Sequence, residues 1–200
     1  MTFSYQTIEK PIEEITFKEK GSKFIGYAFP VLDEEEVKLN LVNLWKKYPD
    51  ATHICYAYRL GMNGENYRAN DDGEPSGSAG LPIYNQIVSK EITNVLVASV
   101  RIYGGTKLGV SGLIKAYKLS AQMTLEEAEV VEKHLTEKVK FYFSYEDQGS
   151  VMRNIDKFSA EVLSTEFTDK CKVVVRIRKD NLNHFLEAFE PLYHVKIELI

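Results

Sequence analysis

The sequence predicts a two-domain α+β protein, on three observations. Stretches with a two-residue hydrophobic period and stretches with a helical period both recur along the 200 residues. The composition shifts after Gln122, where residues 124–133 form a charged connector. Beyond it a self-contained β-α-β-β-α-β pattern follows, the ferredoxin-like unit. A chain of 200 residues makes one large domain or two small ones. The boundary is placed near residue 132, giving domains 1–132 and 133–200.

Along the first domain, Ile12, Phe17, Phe24, Ile25, Tyr27 and Phe29 lie in β-prone stretches broken by Gly21-Ser22, which predicts a hairpin or two short strands. Asp33 reads as an N-cap, with Glu36 three residues later completing a capping box. Val37, Leu41, Leu44, Trp45 and Tyr48 recur at helical spacing, so a helix is expected over 34–48, ended by Pro49-Asp50. Residues 52–60 (THICYAYRL) alternate as a strand, Gly61 to Gly64 turn, and 65–70 return. A loop from Asn70 to Pro82 precedes a short helix through Ile83, Ile87 and Val88. Residues 94–102 (NVLVASVRI) form a nearly continuous apolar run, the pattern of a strand covered on both faces. A glycine-rich turn at 104–109 leads into a helix near 111–122.

In the second domain, 138–146 alternate as a strand and 149–159 suit a helix with Val151, Met152, Ile155 and Phe158 on one side. Strands are expected at 161–167 and 171–178. Asp180 reads as the cap of a helix carrying Leu182, Phe185, Leu186 and Phe189, and 194–199 as the last strand.

Composition bounds the function. The formal net charge of −4 argues against coating nucleic acid through bulk charge. Yet no acidic residue lies between Glu91 and Glu126, a window holding Arg101, Lys107, Lys115 and Lys118. No apolar run reaches bilayer length, and the N-terminus shows no secretory signal pattern. Cys55 and Cys171 match no metal or redox spacing and read as reduced core thiols, which makes the cytoplasm the expected compartment. No cofactor and no membrane association are expected. Oligomeric state is not legible.

Two loops concentrate the chemistry. In Asp71-Asp72-Gly73-Glu74-Pro75-Ser76-Gly77-Ser78-Ala79-Gly80, three carboxylates within four positions suit a hard cation. On spacing alone the favoured reading is a turn whose acids cap backbone amides and pair with nearby Arg or Lys, because helix-start loops are normally rich in these residues. Ser76 or Ser78 are candidate caps for the helix that follows. The second loop runs from Arg101 to Tyr117. Gly104, Gly105, Gly109 and Gly112 carry the chain from a buried strand to a helix start, with Lys107 and Lys115 beside it. Helix-start amides and cations suit a phosphate, on a nucleotide or on an RNA backbone; a packing turn is the other reading. The loop is neither a Walker A motif nor a dinucleotide fingerprint. The two loops are opposite in charge, so Asp71, Asp72 and Glu74 are also able to neutralise Arg101 and Lys107 internally. His53 and Cys55 share one face of their strand, but no orienting partner or oxyanion hole is visible, so a structural histidine is expected. Tyr56, Tyr58, Tyr67 and Tyr103 read mainly as packing residues. No catalytic residue is assigned.

Three pieces together resemble the IMPACT/YigZ family: Ala51 to Arg59, with His53 and Tyr56; the acidic loop Asp71 to Gly80, with Asp71, Asp72, Gly73, Glu74, Pro75, Ser76 and Gly77; and Arg101 to Tyr117. Ser22-Lys23-Phe24-Ile25 is similar to the family's opening strand. The resemblance covers nearly the whole chain. It implies a first domain like the second domain of a small-subunit ribosomal protein and of elongation factor G. It implies a second, ferredoxin-like domain similar to the last domain of that factor, with Gly149 to Ile155 matching a helix start there. Eukaryotic relatives are linked to translational control, so the implied partners are RNA, the ribosome or a translation factor. The implied function is non-enzymatic binding in translation or its regulation. A metal- or phosphate-dependent enzyme using Asp71-Asp72-Gly73-Glu74 and the glycine turn 104–112 stays open. Two positions depart from the pattern: Ile102 stands where an aromatic is common, and Lys115 where Arg is common, which keeps the charge and loses the bidentate fork.

Overall fold

A computed structural model describes residues 3–167 and 171–200. The chain divides into two compact units, Tyr5–Lys133 and His134–Ile200, the latter taking in the N-terminal residues up to Ser4. The protein is mixed α+β, with antiparallel pairing in both larger sheets.

The first unit is built on a five-stranded sheet ordered β2 (Ile12–Glu19), β3 (Ser22–Pro30), β6 (Val95–Ile102), β4 (His53–Leu60), β5 (Asn66–Asn70). Residues Val95 to Arg101 of β6 are all buried, as its unbroken apolar run predicts for a central strand. Two layers cover it. On one face α1 (Glu34–Lys47) sets Val37 and Leu44 against Ile54, Tyr58 and Leu96. On the other, α2 (Gly80–Ser89) and α3 (Val110–Glu126) bring Ile83, Ile87, Leu113 and Tyr117 down on Phe24, Cys55 and Val97. Each fully buried Ile is worth about 1.5–3 kcal/mol. The start of α1 is fixed as its sequence predicts. Asp33 Oδ1 accepts the Glu35 and Glu36 amides at 2.9 Å, while the Glu36 carboxylate reaches one residue further back than a standard box, to the Leu32 amide at 2.8 Å.

The charged connector expected over 124–133 is replaced by regular structure. Helix α3 continues to Glu126, and β7 (Val130–His134) pairs with β1 (Ser4–Ile8), a strand the periodicity misses. Both strands are short and mostly polar, so neither carries the two-residue hydrophobic signal.

In the second unit, β8 (Thr136–Phe143), α4 (Gln148–Lys157), β9 (Glu161–Phe167), β10 (Cys171–Arg178), α5 (Leu182–Glu187) and β11 (Lys196–Leu199) follow in the expected β-α-β-β-α-β order. The strands lie β11-β8-β10-β9. Alternate residues Val139, Phe141, Phe143 and Cys171, Val173, Val175, Ile177 point inward. There the Phe141 ring meets Phe189 and Phe185 at 4.5 and 5.7 Å. Asp180 does not cap α5. The N-cap is Asn181, without a side-chain bond, and the Asp180 carboxylate takes Arg178, which holds it below the usual carboxylate range. No helix among the described residues is long and apolar enough to cross a membrane.

Candidate functional site

Sheet register assembles the site. Phe24 on β3 and His53 on β4 are both direct neighbours of Arg101 on β6, so the three form one row across the sheet, on the face covered by α2 and α3. The acidic loop closes over this row. Its Glu74 carboxylate, 4 % exposed, accepts from Arg101 Nη1 at 2.5 Å and from the Tyr117 hydroxyl at 2.8 Å. The guanidinium lies over the Phe24 and Tyr103 rings, 5.7 and 5.5 Å from their centroids, and Nη2 reaches Ser22 Oγ at 3.4 Å. Arg101 is only 5 % exposed, and its Nε finds no acceptor among the described residues. An unsatisfied buried donor of this kind costs about 1–3 kcal/mol.

The remaining acids serve the backbone. Asp71 Oδ1 accepts the Ala79 and Gly80 amides at 2.9 and 2.8 Å, and Oδ2 accepts Gly77 at 2.8 Å, so a carboxylate from outside α2 satisfies that helix's start. Neither Ser76 nor Ser78 caps it: Ser76 is exposed, and Ser78 Oγ is buried without a partner among the described residues. Asp72 Oδ2 takes the Ile54 amide at 2.7 Å. Among the described residues no group of three His, Cys, Asp or Glu is placed to hold a metal ion. Of the two readings of this loop, the geometry matches the amide-capping turn.

His53 has an orienting partner that the sequence does not reveal. Its Nδ1 lies 2.6 Å from the Asp72 carbonyl, which only accepts, so Nδ1 carries the proton. Nε2 faces Glu74 Oε1 at 4.0 Å. Cys55, next along the same face, donates to the Asp71 carbonyl at 3.0 Å. Burial pushes the thiol up, and the neighbouring Glu74, Asp72 and Asp71 carboxylates add to that against an opposing bond from Tyr117. Tyr117 is raised too, first by burial and then by Cys55 and Glu74. Both groups stay protonated, so neither is a poised nucleophile.

The glycine turn contrasts with the acidic loop. Gly104 packs: a Cβ there would stand 1.9 Å from the Gly21 carbonyl carbon, and its amide donates to Ser22 Oγ at 3.2 Å. Gly112 packs on Leu108, whereas Gly105 has open space around it. Gly109, the N-cap of α3, has φ +74° and supplies no side-chain bond to the helix start. Lys107, Lys115 and Lys118 are exposed and form no hydrogen bond or ion pair among the described residues.

Between the loops lies a cleft of about 440 Å³. Its lining combines the polar side chains of His53, Glu74 and Arg101, the apolar Leu108 and Leu113, and Lys107 and Gly109 of the glycine turn. Pro75 and Tyr103 also line it. Tyr56 lies elsewhere, packed with the cluster under α1, and Lys115 and Gly112 are outside the lining. The charge of Arg101 is neutralised by Glu74, so the exposed cations of the acid-free window are the three lysines. Sequence reasoning missed Thr52, whose Oγ1 accepts the Tyr103 amide at 3.1 Å, and the role of Tyr117. A tyrosine four residues after Leu113, on the core side of a helix, is the available signal, because a buried phenol needs a partner.

Residues 20–125 match the family model described as the Impact N-terminal domain. The IMPACT family member YvyE of Bacillus subtilis is 29 % identical over 199 residues, covering 100 % of this chain and 91 % of the relative. The IMPACT family member YigZ of Escherichia coli is 35 % identical over 108 residues, 53 % of this chain and 51 % of its own. A crystal structure described as that of a hypothetical protein aligns with a TM-score of 0.73 at 21 % identity, over 100 % of this chain and 98 % of its own, which shows a shared fold.

Proposed function

The chain belongs to the IMPACT family, and from that premise we propose that it is a non-enzymatic binding protein acting in translation or its regulation, through contacts with RNA, the ribosome or a translation factor. We read the first unit as like the second domain of a small-subunit ribosomal protein and of elongation factor G. The second we read as a ferredoxin-like domain similar to that factor's last domain. The strand order β11-β8-β10-β9 supports the second assignment.

The observation that carries the functional reading is the contrast in the acid-free window. Its buried cation is neutralised by Glu74, whereas Lys107, Lys115 and Lys118 stand exposed and unpaired among the described residues, beside an α3 start that no side chain caps. Cations without internal partners are those available to phosphates. The competing enzyme reading loses its metal ligands, because Asp71 and Asp72 are bonded to amides and Glu74 to Arg101 and Tyr117.

Fluorescence anisotropy with a structured RNA and co-sedimentation with ribosomes, both at low salt, test the proposal. Binding is expected to weaken as salt rises, and Lys107→Ala with Lys115→Ala lowers the salt slope by about one for each lysine–phosphate ion pair removed. Absence of binding by the wild type, or equal binding by the double variant, overturns it.

A further inference from the structure

We propose that the outward face of α1 is a self-association surface, through which two copies of this chain pair antiparallel about a two-fold axis. The inference goes beyond the translation reading and does not rest on it.

Helix α1 has two apolar faces. Val37 and Leu44 are buried, and Leu41 and Tyr48 pack beside them on the core side. The same helix also turns large apolar side chains outward. Leu39 is 61 % exposed, Val42 49 % and Trp45 40 %. They recur at every third residue, so they are neighbours along the helix surface. Helical spacing in the sequence groups Trp45 with the core stripe; the structure leaves it at the edge of this outward patch. Single exposed apolar residues are ordinary, whereas a contiguous group of them marks a contact surface.

Charge specifies what covers the patch. The first turn of α1 is acidic, with Glu34, Glu35 and Glu36, and its last turn is basic, with Lys46 and Lys47. Three of these have internal partners. Glu34 accepts from Asn66 at 3.2 Å, Glu36 takes the Leu32 amide, and Lys47 pairs with Glu14 at 2.6 Å. The side chains of Glu35 and Lys46 are exposed and form no hydrogen bond or ion pair among the described residues. They stand about three turns apart, on the face that carries Leu39 and Val42. Along that face the order is acid, apolar, apolar, base, as Glu35, Leu39, Val42 and Lys46, at spacings of four, three and four. Reversed, this order is its own complement. An antiparallel copy, turned about an axis level with Asn40 and Leu41, sets Leu39 against Val42 and Glu35 against Lys46, each twice by symmetry. A parallel copy sets acid on acid and base on base. The helix dipoles favour the antiparallel order as well. A helix of 14 residues is about 21 Å long, so the contact falls below the roughly 1,200 Å² of standard interfaces and the pairing is weak and reversible. Helices α2 and α3 cover the opposite face of the sheet, so the patch is separate from the exposed lysines of α3.

The test is analytical ultracentrifugation of the full chain at concentrations up to about 1 mM, with the emission of Trp45, the single tryptophan, followed alongside. The mass is expected to rise from monomer toward dimer, and the emission to shift to the blue as the ring leaves water. Leu39→Glu weakens dimerisation by about a hundredfold, because symmetry counts the change twice. Glu35→Lys and Lys46→Glu each weaken it by about tenfold. An equimolar mixture of these two variants regains association, and so does the chain carrying both changes. Leu119→Glu, at an exposed position on α3, leaves it unchanged. Circular dichroism checks that each variant is folded. A monomer at every concentration overturns the inference and leaves the patch to a different protein. A dimer that survives Leu39→Glu, that Leu119→Glu breaks, or that neither charge-swapped combination restores also overturns it. A monomer that still binds RNA leaves the translation reading standing; a dimer that ignores RNA and ribosomes sinks that reading and keeps the self-association.

Discussion

The acidic loop and the glycine turn both deliver the chain to a helix start, and they treat that start in opposite ways. At α2 a carboxylate from the preceding loop, Asp71, takes the amides of Gly77, Ala79 and Gly80. At α3 the capping position is Gly109, which has no side chain to give. One helix start is closed by the fold and the other is left open beside free lysines. A rich local supply of charge is therefore no guide to function: the loop with three acids commits all of them internally, and the loop with fewer polar side chains keeps its donors.

The largest effect that tests this contrast comes from the pair joining the two loops. Arg101→Ala leaves Glu74 as a buried, unpaired charge and is expected to destabilise the first unit by about 3–5 kcal/mol in urea unfolding. A change near zero would mean that the loops do not depend on each other. Next is Asp71→Ala, which strips three amide bonds from the α2 start and costs about 2 kcal/mol. The matching change at the open helix, Ser111→Ala, is expected to fall within about 0.5 kcal/mol of wild type. Equal destabilisation at the two positions would erase the distinction between a closed and an open start.

A third test uses pH. The Cys55 thiol is raised in the folded protein by burial, from an ordinary value of 9.0. Its folded pKa lies above its unfolded one, so the stability it contributes is complete below about pH 9 and declines as pH rises toward the folded value. The urea midpoint is expected to fall more steeply with alkaline pH in the wild type than in Cys55→Ala. Parallel curves would show that the thiol is not held under the acidic loop. The smallest stability effect belongs to the open side. Lys107→Ala and Lys115→Ala leave unfolding within about 0.5 kcal/mol of wild type while weakening RNA association. A larger drop in stability would reveal partners for these lysines inside the fold.

The fold was legible wherever hydrophobic period and cap chemistry agreed. The helix from Glu34 has its Asp33 cap, β6 has its unbroken apolar run, and the second unit keeps its β-α-β-β-α-β order. It was illegible where strands are polar, as in the Ser4–Ile8 and Val130–His134 pair, and where local chemistry offers two partners, as at Asp180. The site was half legible. Both loops stand out in the sequence, but not that Asp72 orients His53, nor that Arg101 is buried while Lys107 is not.

By itself the sequence determined the elements and the two chemistry-bearing loops, because periodicity, caps and glycine turns act over a few neighbouring residues. Only the tertiary structure decided which charges cancel. Glu74 meets Arg101 and Tyr117 across separations of 27 and 43 residues, and it does so because sheet register sets Phe24, Arg101 and His53 in one row beneath α3. Electrostatic partnership depends on distance in space, and that distance is fixed by strand register and helix packing.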